Sequence, residues 1–335
     1  MKEFCNRYKN IALWLLILAF GGIYLSLCFN NNIWTDEGFT IDLLRNCKTF
    51  RDVCDFTAAD VHPPLYYLIL KVFTDRLGIH LLLIKILSIV PMLTTMMLAP
   101  TVIRKEFGFR TALFFILILG TLPCTMEYAV QARMYTWAIL FVTLCGLSAY
   151  RIATRNKRID WLGYLLGGVC AAYTHYFAFT AVLWIYGFLF LYLLSWKRKQ
   201  LLKWLVATVL SLIAYLPWLT RMAGQVKGVS GSYWIAEIDG KVLLSYFPWI
   251  VNTNLPYVTA VMGVIFNIAL VLVIYQMKRK KGFDGKITAA LFGLLIPVLV
   301  VVTGVVLSKL IRPIFIIRYI MPSIGLLCLL SLIHI

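Results

Sequence analysis

Asp36 and Glu37 stand side by side in the stretch WTDEGFT, directly after a long apolar run. Adjacent carboxylates at such a boundary repel each other and are costly to desolvate, so they need a cation, a donor group or water. Further along, DVHPPLYY sets Asp60 and His62 ahead of Pro63 and Pro64. Proline holds the residue before it extended and then permits a helix to begin, so this turn aims Asp60 and His62 away from the apolar residues that follow. EYAVQARMYTW contributes Glu127, Gln131 and Arg133, THYFAF contributes His175, and RPIFIIRYIMP contributes Arg312, Arg318 and Tyr319. Arginine is a planar, permanently charged donor that suits phosphate or carboxylate. Each group also has a plainer reading: an acidic helix cap at Asp36, a snorkelling Arg133 at lipid headgroups, a packing histidine at His175. Taken together, a carboxylate to accept a proton and arginines to hold a phosphate, beneath an aromatic-rich interface, point to a phosphorylated lipid substrate.

The elements that must position these groups follow from composition. Of the 335 residues 61% are hydrophobic and only 14% charged, with a mean hydropathy of +0.86, which describes an all-α, polytopic membrane protein. A span needs roughly 17 to 25 apolar residues, and the candidates lie at 11–29, 80–103, 111–126, 134–150, 159–175, 176–196, 204–220, 255–277, 287–308 and 319–335, about ten in all. The run from His62 to Gly78 is short and interrupted by Lys71, Asp75 and Arg76, so it is expected to lie along the outer surface as an interfacial helix of a first outer loop, residues 30–79. A second interfacial segment is expected in the loop Arg221–Asn254, which carries Tyr233, Trp234, Phe247 and Trp249.

Charge then gives the orientation. The clusters at 2–9, 104–110, 151–158, 197–203 and 278–286 hold 19 of the 32 Lys and Arg residues and fall at every second connection if 62–78 does not cross. The positive-inside rule places all five, and the N-terminus, in the cytoplasm of a multi-pass plasma-membrane protein. The acids and arginines named above, with Glu237 and Asp239, then converge on the extracytoplasmic face; half of the 14 acidic residues lie between Asp36 and Asp75. The net charge of +18 is distributed as punctuation between apolar runs, without the basic soluble face that nucleic acid requires. Eight scattered cysteines show no metal-ligand spacing; most read as packing residues, and Cys47 and Cys54, which share one polar loop, are the candidates for a disulfide. No Walker A, dinucleotide glycine pattern or D-x-D appears, which argues against a soluble nucleotide donor. No repeat or soluble domain is evident. The chain stops inside an apolar run, so it reads as a single membrane domain, 1–335, cut short at its C-terminus.

TDEGFT, DVHPPLYYLILK, EYAVQARMY, THYFAF and RPIFIIRYIMP, in this order, resemble the GT-C membrane glycosyltransferases, specifically the bacterial family-39-like proteins related to protein O-mannosyltransferases and lipid A aminoarabinose transferases. The likeness runs from about residue 30 to 325, and the paired acids and the D-x-H-P-P-L run are its specific parts. It implies transfer of a sugar from a polyprenyl-phosphate carrier to an acceptor hydroxyl outside the membrane, with the acceptor unspecified. Asp36 takes the family's catalytic-base role with Glu37 beside it. Asp60, His62 and Tyr66 match the element near the donor and acceptor cleft, and Arg133 and Tyr135 match the A-R-M-Y pattern. Gln131 stands where a glutamate is commoner. His175, Arg312, Arg318 and Tyr319 complete the expected substrate site. A divalent metal ion is left open, with Glu37, His62 and His175 the candidate ligands. The competing class is a transporter or flippase of an anionic lipid, which would place its ionisable groups at the midplane of paired repeats.

Overall fold

The computed structural model describes residues 2–29, 32–231, 245–253, 255–279 and 285–330, together with Ile235 and Glu237. Every regular element among them is helical. In chain order the helices are α1 (Lys2–Cys28), α2 (Thr35–Asn46), α3 (Phe50–Ala59), α4 (Leu65–Leu77), α5 (Leu81–Leu98), α6 (Arg104–Phe107), α7 (Phe109–Thr121), α8 (Pro123–Ala129), α9 (Tyr135–Thr154), α10 (Arg158–Thr174), α11 (Tyr176–Trp196), α12 (Leu201–Gly231), α13 (Tyr246–Ile250), α14 (Pro256–Arg279), α15 (Gly285–Leu310) and α16 (Ile324–Leu330), the last preceded by 3-10 turns over Ile317–Ser323. A bilayer has no water to satisfy open backbone groups, so spanning segments close their own hydrogen bonds as helices. Six helices are long and apolar enough to cross, and α7 with α8 makes a seventh if the bent pair crosses as one unit. The other expected spans are also helical but fall short of that length and hydropathy, as at α10 with its 17 residues, or reach into residues that are not described, as at 319–335.

The first outer loop folds as three short helices. Helix α3 opens on a reciprocal cap: the Asp52 N–H donates to Thr49 Oγ1 (3.1 Å), and the Asp52 carboxylate accepts from the Thr49 N–H (2.7 Å). Helix α4 starts at Pro64 and ends at Gly78, whose φ of +81° suits a residue without Cβ. At 13 residues it spans about 20 Å, too short to cross. It does more than lie on a surface. Tyr66, Tyr67 and Leu70 are buried in a cluster with Leu43, Val53, Ile84 and Met134, and the Lys71 ammonium donates to the Cys47 carbonyl (3.0 Å) and Asp75 (2.8 Å). Val72, Phe73 and Leu77 stay exposed on its outer face. Cys47 and Cys54 remain free thiols.

Helix α9 is the centre of the bundle, packed on α5, α10 and α11. Between α7 and α8 the chain bends by 69° at Pro123. Thr125 Oγ1 lies 2.7 Å from the Leu119 carbonyl, which Pro123 has no N–H to serve, and 2.8 Å from that of Leu122, which also accepts from the Met126 N–H (3.0 Å). Beyond Arg221, where a loop is expected, α12 continues to Gly231. It grips α3 through Arg221 Nη1 to Asp55 (2.7 Å) and Gln225 Nε2 to the Thr57 carbonyl (2.8 Å). Tyr233, Trp234 and Asp239 lie outside the described residues, Phe247 and Trp249 fall in α13, and Glu237 is exposed.

The far ends of the same helices carry a second charge cluster. Glu106 pairs with Arg155 (2.9 Å) and Arg151 (3.5 Å), and Arg151 also meets Asp160 (2.9 Å). Since α9 runs about 30 Å from Tyr135 to Thr154, this cluster and the acidic loop occupy opposite ends of the bundle.

Gly167 lets α10 approach α9 closely, as small residues do between helices in lipid. A Cβ there would sit 2.9 Å from the Cys145 nitrogen and 3.0 Å from the Phe141 oxygen, both backbone atoms that cannot turn aside. Gly167→Val should therefore destabilise the bundle by about 1–3 kcal/mol, read as a lower melting temperature in detergent; an unchanged melting curve would contradict this packing.

Candidate active site

The two adjacent acids have different fates. Glu37 is 3% exposed, and both of its oxygens accept from backbone: the Trp34 N–H (3.3 Å) at the start of its own helix and the Ala132 N–H (2.7 Å). Thr40, one turn on, donates to the carbonyl of the same Ala132 (2.9 Å). Residues three apart share a helix face, so α2 clamps both polar groups of one peptide residue in the 130–134 turn. Ser88 holds the next carbonyl, that of Arg133, at 3.5 Å.

That turn delivers Arg133 into the interior, 2% exposed. Nη1 donates to the Asp36 carbonyl (3.0 Å) and the Tyr67 hydroxyl (3.3 Å), and Nη2 donates to His62 Nε2 (2.9 Å). Guanidinium has no acceptor, so His62 Nε2 must present its lone pair and Nδ1 must carry the proton, which it donates to the Asp60 carboxylate. Burial, and then the charge of Arg133, push the imidazole below its usual pKa, favouring this neutral form. For Asp60 burial acts to raise the pKa, but the hydrogen bond from His62, with the positive charge of Arg133 behind it, outweighs burial and the net shift is downward.

Asp36, 23% exposed, points the other way. Its Oδ2 lies 2.8 Å from Arg318 Nη2 and 4.0 Å from Arg133 Nη2. Arg318, 15% exposed, stacks over the Trp34 ring at 5.0 Å, with Tyr128 and Tyr135 beside its guanidinium. His175 sits at the break between α10 and α11, where its Nδ1 accepts from the Phe177 N–H (3.1 Å) and so caps α11. Its ring meets Tyr319 (5.0 Å) and Tyr135 (5.6 Å). His62, His175 and Tyr319 line one end of a cavity of about 620 Å³. Away from them it becomes apolar, running between α11, α12 and α15 past Phe179, Leu183, Val226 and Leu307. The Trp184 indole donates to Thr303 Oγ1 (3.1 Å), joining the α11 and α15 walls.

Most of the expected residues are thus brought together: Asp36, Glu37, Asp60, His62, Arg133, Tyr135, His175, Arg318 and Tyr319. Arg312 makes no ion pair or hydrogen bond with them among the described residues. Tyr66 is fully buried, its ring packed edge-on to Tyr67 (5.1 Å). Gln131 bonds Glu127 (3.1 Å) outside the cluster. Trp34 and Tyr67 are functional neighbours beyond the expected set, though each abuts a motif residue in sequence. The proposed metal ligands do not fit a metal. Each Glu37 oxygen already accepts from a backbone N–H, both His62 nitrogens are engaged, and no group of three His, Cys, Asp or Glu side chains among the described residues has ligating geometry.

Because the folded state holds His62 neutral, it binds this proton less readily than the unfolded chain does. Stability should therefore fall as pH drops below the usual value of 6.5 towards the lowered one, when a proton on Nε2 would face Arg133. Asp60 contributes only nearer its own, lower range. In His62→Gln the amide can accept from Arg133 and donate to Asp60 without titrating, so its melting temperature should vary less between pH 7.5 and 5 than that of the parent. Parallel curves would rule out the assigned proton.

Residues 61–220 match the sequence model of the dolichyl-phosphate-mannose-protein mannosyltransferase family, a region that includes His62, Arg133 and His175 but neither Asp36 nor Arg318. No curated protein matches the sequence. The structure of ArnT from Cupriavidus metallidurans in the apo state superposes with a TM-score of 0.65 at 15% identity, covering 96% of this chain and 59% of that one. The chain therefore spans about three fifths of that protein's length. The resemblance drawn from the motifs is borne out: the chain has the GT-C fold of membrane glycosyltransferases and carries, over residues 61–220, the sequence signature of the dolichyl-phosphate-mannose-protein mannosyltransferases.

Proposed function

We propose that the protein transfers a glycosyl group from a polyprenyl-phosphate carrier to an acceptor hydroxyl. The observation that carries this reading is the Asp36–Arg318 contact, a carboxylate and a guanidinium that are both partly accessible, in a cluster whose His62, His175 and Tyr319 line a large apolar cavity. The cavity wall suits an isoprenoid chain, Arg318 suits its phosphate, and Asp36 suits an attacking hydroxyl. Attack on the anomeric carbon, from the face opposite the phosphate, forms the new glycosidic bond as the bond to the phosphate oxygen breaks. The hydroxyl proton passes to Asp36, and Arg318 stabilises the charge that collects on the departing polyprenyl phosphate. Glu37, Asp60 and Arg133 position this pair, and His62 both holds Arg133 and lines the cavity.

The basic clusters at 2–9, 104–110, 151–158 and 197–203 lie at the ends of α1, α5, α9 and α11 remote from Asp36, so the positive-inside rule favours an extracytoplasmic site and a cytoplasmic N-terminus. Membranes containing the protein should transfer label from at least one polyprenyl-phosphate sugar in a donor panel. Asp36→Asn should lower the rate by about 10²-fold or more, the usual contribution of a general base. Equal rates would remove Asp36 from the chemistry. Translocation of the lipid without transfer from any donor would instead support a transporter.

A further inference from the structure

The contact between Asp36 and Arg318 is close but unfinished. The atoms approach to 2.8 Å, yet Asp36 Oδ2 and Arg318 Nε, both shielded from solvent, each lack a hydrogen-bond partner among the described residues. The pair is held by charge without the alignment that makes carboxylate–guanidinium contacts strong. Arg133, the other guanidinium near Asp36, is fully buried with both terminal nitrogens engaged by protein acceptors. Of the two guanidiniums, Arg318 is therefore the one an incoming anion can reach, and it already faces a carboxylate.

A phosphate and Asp36 are rivals for one guanidinium, and the phosphate can make the aligned, two-pronged contact that the carboxylate does not. We infer that Asp36 guards Arg318 in the empty site and that the donor's phosphate displaces it, so that the base becomes free only once the leaving group is seated. This rests on the reading of Asp36 as base and of the ligand as a polyprenyl phosphate, and adds an order of events to it. The step exchanges one ion pair for another with no covalent change. The proton moves to Asp36 later, as the acceptor oxygen bonds to the anomeric carbon.

The test is a binding cycle on the full chain in lipid nanodiscs, using calorimetry with farnesyl phosphate, which carries phosphate and isoprenoid but no sugar. Removing the rival charge in Asp36→Asn should tighten binding about five- to tenfold. Arg318→Gln should weaken it at least about tenfold. With Arg318→Gln already present, Asp36→Asn should change affinity by less than about twofold, because there is nothing left to release. Equal tightening in both backgrounds would mean simple repulsion between two anions and would overturn the guard. Loss of binding in Arg318→Gln with indifference to Asp36→Asn would sink the guard and leave the functional reading standing. No binding to any variant would overturn both. Should Arg318→Gln not fold, Arg318→Lys replaces it in the cycle; the tightening produced by Asp36→Asn should again shrink, and its persistence in full would count against the guard.

Discussion

A guanidinium that has been taken out of water dictates the architecture of the site end. Arg133 cannot shed its charge, so its N–H groups must find acceptors within the protein. Those it finds come from three separate segments: the first turn of α2, the histidine of the proline turn, and a tyrosine of α4. Removing one partner from a buried charge network costs about 3–5 kcal/mol. The loop helices are therefore held to one arrangement by a penalty for leaving it, in addition to the apolar cluster beneath them. The tautomer of His62 and the placement of Asp60 follow from the same demand.

The neighbouring clamp solves a different problem. Glu37 and Asp36 are consecutive, so on a helix they point about 100° apart, which lets one turn into the protein while its neighbour faces the opening. Glu37 disposes of its charge on two backbone N–H groups, one of which caps its own helix. The like-charge repulsion read in the paired acids is thereby relieved. Asp36 is left as the one carboxylate of the pair with room for a ligand, at a distance from Arg318 set by backbone contacts on both sides.

Residue types and spacing made much of this legible. The paired acids, the D-x-H-P-P turn and Arg133 could be assigned to one face because basic clusters punctuate the chain at alternate connections, a global constraint visible in one dimension. The fold class was equally open to reading, since hydropathy reports which segments avoid water. Hydropathy does not report whether an apolar helix meets lipid or protein, however. Helix α4 therefore read as a surface helix although Tyr66, Tyr67 and Leu70 face inward. Nor does a motif reveal exposure: Arg133 looked like a ligand contact and is fully buried, whereas Arg318 keeps part of its side chain accessible. Arg312 and Arg318, six residues apart around irregular backbone, were indistinguishable until that backbone was placed. The polar tail of α12 read as loop because its partners on α3 lie more than 160 residues away.

That tail of α12 has a mechanical consequence. The helix forms one wall of the apolar cavity, yet Leu205, Val209, Leu212 and Leu216 along its length are exposed, so little of its surface is tied to the bundle. At the site end it is fastened to α3 by Arg221, which meets Asp55 and the Cys54 carbonyl (3.2 Å), by the Gln225 amide at Thr57, and by Tyr215, Trp218 and Met222 packed with Cys54 and Ala58. Its inner face, by contrast, is hydrogen-bonded to α10 and α11 through the Ala214 carbonyl, Ser211 and the Trp204 indole. The wall is therefore anchored along one side only, and its other side is left to the surrounding bilayer.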